Sequence, residues 1–114
     1  MNVKNALAVL PFLAIAPAFG AEHLALVERP VNETTIDLGA KGDSVGDLLT
    51  FVNPVFDSTN VTQVGSDQGY CVRVAVGKSW ECNWTMLLKD GRLAVEGPFS
   101  DTGDSLFIVT GGTG

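Results

Sequence analysis

Two cysteines, Cys71 and Cys82, are the side chains whose spacing most clearly allows covalent chemistry. They lie in two β-like runs, GYCVRVAV and KSWECNW, which a tight turn joins. If the runs fold back through a four-residue loop, 75–78, Cys71 stands opposite Cys82. The same register sets Val74 opposite Ser79. Because directly opposed residues of an antiparallel pair are close enough for a bridge, we predict a Cys71–Cys82 disulfide.

The same hairpin gathers large and charged side chains beside the cysteines. The two-residue period of a strand places Arg73 on the face of Cys71, with Trp80 and Trp84 on the same face of the neighbouring strand. An arginine on a buried face needs a carboxylate or a ligand as its partner. We therefore expect Arg73, Trp80 and Trp84 to be ligand-binding residues.

Other catalytic devices find little support in the residue pattern. The only histidine is His23, and two cysteines eleven residues apart lack zinc-ligand spacing, so we expect no metal site and no Ser-His-Asp device. Asp101 and Asp104 fit ordinary turn chemistry better than a calcium site. The segment LFIVTGGTG resembles the opening of a dinucleotide-binding unit, but no helix follows its glycines, so we expect no cofactor.

The elements that must position these residues are strands. Short runs rich in Val, Leu, Phe, Thr and Trp alternate with Gly, Asp, Asn and Ser clusters, which is typical of an antiparallel sheet. The predicted strands are 23–29, 47–53, 68–76, 78–88, 92–96 and 104–110, and the predicted turns are 39–46, 57–67, 76–77, 89–91 and 98–103. Regularly spaced strands without helical periodicity predict a barrel or a sandwich.

The first twenty residues have the features of a signal peptide. Lys4 precedes an apolar stretch, 6–16, that is too short to span a bilayer, and Ala18 and Gly20 provide a small-residue cleavage site. We expect a signal peptide at 1–20 and one domain at 21–114, with a cut after Ala18 or an uncleaved anchor as alternatives. The protein would then be secreted, to the extracellular space or the periplasm, where a disulfide is stable.

The acidic balance of the chain bears on its partners. Loss of Lys4 with the signal peptide changes the formal charge from −6 to −7. Nucleic acids and anionic membranes bind basic patches, so we expect neither as a partner.

The chain stops shortly after the predicted strand 104–110, at GGTG, and we expect the sheet to lack its last strand or to be incomplete there.

Several segments resemble one superfamily of barrels. Residues 46–53, GDLLTFVN, with Val55-Phe56 after them, are similar to the GDLVPFTNKLY segment of plant allene oxide cyclases. Residues 69–74, GYCVRV, resemble a glycine, apolar, cysteine, valine strand of the same enzymes. The stretch from 95–99, VEGPF, to 109–114, VTGGTG, resembles the region that ends in their ITGGSG and the VGGTG of dirigent proteins.

The resemblance to allene oxide cyclases and dirigent proteins implies a fold and an activity. It implies an antiparallel up-and-down β-barrel of about eight strands with an apolar cavity, commonly trimeric and free of cofactors. The cyclases are isomerases that close a cyclopentenone ring from a fatty-acid epoxide, and dirigent proteins steer the coupling of phenoxy radicals. We expect a hydrophobic small molecule as the partner. The alternative is a non-catalytic secreted binding or structural barrel, filled by its own side chains.

The resemblance carries over to few site residues. Asn53 matches the asparagine that helps to bind a water molecule in the cyclases, so it is the candidate catalytic residue, and Cys71 matches their cavity cysteine. Their serine-proline water site falls on Val31-Asn32.

The cyclases also carry a glutamate on the first strand, which stabilises developing positive charge. Depending on the alignment, Ala25 or His23 stands at that position, and neither is a carboxylate. Glu28 or Glu22 takes its place if the first strand is shifted. We therefore expect no cyclisation of an allene oxide at an enzyme-like rate.

Overall fold

The regular structure of the protein consists of strands. The computed structural model describes strand residues at 6–9 and 13–15 and all residues from 24 to 114. The strands are β1 Ala6–Val9, β2 Leu13–Ile15, β3 Leu24–Glu28, β4 Glu33–Ile36, β5 Leu48–Asp57, β6 Gln63–Ala75, β7 Ser79–Leu88, β8 Gly91–Ser100 and β9 Ser105–Thr113. Among these described residues there is no helix of the length and apolar character needed to cross a membrane.

All the strands belong to one antiparallel sheet. Its order is β3-β2-β1-β9-β8-β7-β6-β5-β4, and β3 also pairs with the second half of β5, at Val55–Asp57. The first half of β5 pairs with β4. Because β3 has partners on both sides, the pairings return on themselves and the sheet curls into a barrel-like shape. The predicted all-β antiparallel fold is confirmed.

The strands are longer than the sequence pattern predicts. β6 begins at Gln63 rather than 68, and β8 continues through the predicted turn to Ser100. The glycines after Thr110 were predicted to form a turn, but β9 continues through them to Thr113, opposite Arg92. At Gly112 a side chain would press on the Arg92 carbonyl, so glycine lets the two backbones approach.

The sequence pattern did not predict β4, nor the pair β1 and β2. β4 has all four residues exposed, so it lacks the apolar alternation of a half-buried strand. β1 and β2 lie within the predicted signal peptide 1–20 and pair with β9 and β3. Cleavage after Gly20 would remove β1 and β2, so β9 and β3 would lose these pairing partners. The rest of 1–20, and His23, lie outside the described residues.

The β6–β7 hairpin confirms the predicted disulfide. Cys71 and Cys82 are directly opposed, with their Cα atoms 4.0 Å apart, and their sulfurs are bonded. The predicted pairing of Val74 with Ser79 is wrong, because Ala75 stands opposite Ser79 and Val74 is the extra residue of a β-bulge. The bulge shifts the pairing by one residue on the turn side only, so the predicted register holds from Gly65 to Arg73.

The interior holds two apolar clusters. The larger consists of Phe51, Cys71, Cys82, Trp84, Val95 and Phe107. The smaller consists of Leu26, Val55 and Met86. Along the inward face of β5, Phe51 belongs to the first cluster and Val55 to the second, and the buried Asn53 lies between them. A polar layer therefore separates two apolar layers inside the sheet.

Candidate functional site

A partly open cavity of about 110 Å³ lies beside the larger apolar cluster. It is lined by Leu49, Phe51, Trp84, Phe99, the Cys71–Cys82 disulfide and the two carboxyl side chains Glu28 and Glu33. The side chains come from β3, β4, β5, β6, β7 and β8, so the curl of the sheet brings them together. An apolar pocket with a few converging polar groups is the usual form of a small-molecule site.

The room for Trp84 depends on a glycine in the neighbouring strand. Gly69 pairs with Trp84 on one side and with Phe51 on the other. A methyl group at Gly69 would collide with the Trp84 Cβ and with the carbonyl of Asn83. The Trp84 ring therefore packs edge-on against Phe51 and Phe107, with centroid separations of 6.2 and 4.4 Å.

Asn53 is buried and holds the chain before β4 in place. Its Oδ1 accepts hydrogen bonds from the backbone N–H groups of Val31 and Asn32, at 3.0 and 2.9 Å. Its Nδ2 donates to Glu33 Oε2 at 3.2 Å. Asn53 does not line the cavity, so its place in this structure is that of a positioning residue for Glu33.

Asp67 is the most unusual group of the polar layer. It lies opposite Asn53 and Met86, is fully buried, and neither carboxyl oxygen has a hydrogen-bond partner within residues 24–114 at ordinary geometry. Burial raises the pKa of Asp67 to about 10, and the adjacent Glu28 carboxyl, followed by the charge of Glu33, acts in the same direction. Asp67 is therefore a neutral acid at pH 7, next to the Glu28 carboxyl group.

Arg73 lies at one end of the sheet, away from the cavity. Its guanidinium binds Asp43 through Nε and Nη2, both at 2.8 Å, and Asp101 through Nη1 and Nη2, at 2.7 and 3.0 Å. Nη1 also donates to the carbonyls of Ala75 and Ser79. Every guanidinium N–H group thus has a protein acceptor. The predicted need of Arg73 for a carboxylate is met within the chain, and Arg73 does not line the cavity.

The two tryptophans have different places. Trp80 packs under the guanidinium of Arg73, with Cζ 4.4 Å from the ring centroid. It thereby belongs to the charged plug formed by Arg73, Asp43 and Asp101. Trp84 lines the cavity. Only Trp84 among the predicted ligand-binding residues therefore contributes to the proposed site.

The loop next to this plug is organised by a second buried aspartate. Asp47 Oδ1 accepts hydrogen bonds from the N–H groups of Leu38 and Gly39, and its Oδ2 accepts one from Ser44. These donors, led by Gly39, lower the pKa of the Asp47 carboxyl. Asp43 lies in the same loop, and its hydrogen bond from Arg73 lowers its pKa as well. The plug is thus held together by ion pairs and hydrogen bonds within the chain.

No family model matches the sequence. What the site can do therefore follows from its own chemistry: apolar and aromatic walls, two carboxyl groups at the rim and a protonated acid behind them. In residues 24–114 no three His, Cys, Asp or Glu side chains are arranged to hold a metal ion. The arrangement suits a small apolar group with a polar or charged end.

Some residues of the site escaped the sequence analysis. Glu33 lies in the unpredicted strand β4, and Asp67 was assigned to a turn. A signal for Asp67 was present, since positions 67, 69, 71 and 73 share one face by alternation. Phe99 was also assigned to a turn, although it faces Trp80 in the β7–β8 pairing.

Proposed function

We propose that the protein binds a small, mainly apolar molecule inside its curled sheet. The observation that carries this proposal is the partly open cavity walled by Phe51, Trp84, Phe99 and the disulfide, with Glu28 and Glu33 at its rim. A sheet filled by its own side chains would have left no such space. The cavity favours a binding role over a purely structural one.

The size of the cavity limits the ligand. Its volume of about 110 Å³ is below the 300–1,000 Å³ typical of drug-sized ligands. A cavity of about 150 Å³ accommodates benzene. We therefore propose a ligand whose buried part is about the size of one ring or one branched head group. A long fatty-acid epoxide, the substrate of the cyclases that the sequence resembles, exceeds this space.

A catalytic role in cyclisation or coupling is a further part of the proposal. Glu28 lies on β3 and lines the cavity, which fits the shifted position of the charge-stabilising glutamate that the resemblance implies. A carboxylate and a protonated acid in an apolar space can stabilise a cation and transfer a proton. The alternative is a barrel of the same type that binds its ligand without catalysis.

The setting of this activity is proposed from the sequence. The Cys71–Cys82 disulfide agrees with an oxidising compartment, and we propose that the chain is exported and acts outside the cell or in the periplasm. By resemblance to allene oxide cyclases and dirigent proteins we propose a trimer. Neither role requires a cofactor.

Ligand capture tests the proposal. The chain is incubated with an extract of its host, separated from unbound material, and its bound small molecules are identified by mass spectrometry. Leu49→Phe fills the cavity from β5, whereas Val52→Phe adds the same ring on the exposed outer face of that strand. We expect a compound that the original chain and Val52→Phe retain and Leu49→Phe loses. Equal retention by all three chains would contradict the proposal.

A further inference from the structure

We infer that the cavity recognises a positively charged head group, such as a small protonated amine or a quaternary ammonium ion. This inference rests on the proposed ligand-binding function and names the chemical class of the ligand. Three features of the site support it: an acid cluster without a counter-ion, aromatic walls, and a buried carboxyl group without a hydrogen-bond partner.

The acid cluster has no cationic partner within the described chain from residue 24 onward. Glu28 and Glu33 line the cavity and Asp67 adjoins Glu28, yet the ion pairs of this part of the protein all involve Arg73, Asp43 and Asp101. A half-buried carboxylate such as Glu28 is normally paired with a cation, and Glu33 adds a second negative charge at the exposed rim. A ligand cation would supply the missing charge.

The nearest arginine along the chain is already occupied. Arg29 follows Glu28 directly, but its guanidinium donates to the side-chain and backbone oxygens of Asn60, at 2.8 and 2.7 Å. It also packs on the Phe56 ring, with Cζ 3.5 Å from the centroid. Arg29 is thereby held away from the acid cluster.

The walls of the cavity fit the same class of ligand. Phe51, Trp84 and Phe99 present three aromatic rings around a space that also contains Glu28 and Glu33. The face of an aromatic ring attracts a cation, most strongly for tryptophan, and aromatic cages with acidic residues recognise alkylated ammonium groups. An anionic ligand would be repelled by the carboxylates.

Asp67 adds a buried carboxyl group behind the cavity, next to Glu28, without lining the cavity itself. Its side chain is fully buried, and both carboxyl oxygens lack a hydrogen-bond donor in the described part of the chain. A buried carboxyl group without a hydrogen bond destabilises the folded protein, and no contact in the described residues compensates for this cost. A cation bound between Glu28 and Glu33 would balance the negative charge of these two carboxylates next to Asp67.

A pair of probes of equal shape tests the inference. Choline and 3,3-dimethylbutan-1-ol differ in one atom, which makes the first a cation and the second neutral. Each is titrated into the full chain, and its dissociation constant is measured by calorimetry. We expect choline to bind at least about tenfold more tightly than the alcohol.

Variants assign the preference to this site. Glu28→Gln and Phe99→Leu each remove one feature of the cage. Phe99 is partly exposed, so Phe99→Leu should fold even if Glu28→Gln does not. We expect either variant to reduce the preference for choline to less than about threefold. Glu96→Gln removes the same charge from the exposed face of β8 and should keep the preference.

The outcomes separate the inference from the function on which it rests. Binding of the alcohol as tightly as choline would overturn the cationic ligand and leave the binding function standing. Failure of both probes to bind would overturn both. A preference for choline that survives Glu28→Gln and Phe99→Leu would show that the cation binds elsewhere, and would also overturn the inference.

Discussion

Replacing Asp67 by asparagine should remove a specific pH dependence of stability. Burial and the nearby Glu28 raise the pKa of Asp67 from 3.8 to about 10, so the folded chain keeps a proton that the unfolded chain loses above pH 4. Between these two pH values the folded state binds more protons, and a rise in pH therefore favours unfolding. The contribution of protonated Asp67 to the free energy of unfolding is fully present below pH 4 and is lost as pH rises towards 10.

The magnitude follows from the proton count. One proton changes the free energy of unfolding by about 1.4 kcal/mol per pH unit, so three units, from pH 5 to pH 8, cost at most about 4 kcal/mol. That is a large part of the 5–15 kcal/mol typical of a folded domain. Because Asp67 interacts strongly with the neighbouring Glu28 carboxyl group, this is the upper value. An asparagine cannot ionise, and its amide can donate to Glu28.

Urea unfolding at pH 5, 6, 7 and 8 measures the effect. We expect Asp67→Asn to gain stability over the original chain steadily with pH. The lowered pKa values of Asp43, Asp47 and Asp57 affect stability only below about pH 4, where their contribution is lost, so they do not interfere. Asp104→Asn, at an exposed position, is the control and should show no such trend. Parallel curves for the original chain and Asp67→Asn would refute the reasoning.

Three other predictions concern the hairpin, the plug and the reaction. The denatured, unreduced protein should contain no free thiol, and Cys71→Ala with Cys82→Ala should cost about 2–4 kcal/mol in urea unfolding; two titratable thiols would show that the bridge is absent. Arg73→Met should cost about 2–3 kcal/mol, because two carboxylates lose charged hydrogen bonds; a loss under about 0.5 kcal/mol would contradict the structural role of the plug. An allene oxide should close to a racemic cyclopentenone in the presence of the protein, and an enantiomeric excess that Asn53→Ala abolishes would identify a working cyclase.

The β6–β7 hairpin could be predicted because its evidence is local. The alternation around Cys71, Arg73, Trp80 and Cys82 fixes which side chains share a face, and a short turn fixes which residues oppose each other. The bulge at Val74 was missed, since a bulge shifts one residue without changing the residue types on either side.

The partners of Arg73 and Asp67 could not be predicted from local pattern. Asp43 and Asp101 are 30 and 28 residues from Arg73 and lie in loops, whose path depends on the completed sheet. Asp67 lies in a polar stretch that is typical of a turn, and only its pairing with Asn53 draws it into the interior. Long-range strand pairing therefore determines which side chains meet at the site, and the residue types alone do not predict those contacts.

The central claim, that the cavity binds a small apolar molecule, is tested most directly by the fluorescence of Trp84. Trp80→Phe leaves Trp84 as the single tryptophan, which lines the cavity. Titration of this variant with 3,3-dimethylbutan-1-ol should change its emission saturably. Addition of Leu49→Phe should abolish the change, whereas addition of Val52→Phe should preserve it. A flat titration, or an equal response when Leu49→Phe fills the space, would contradict the account.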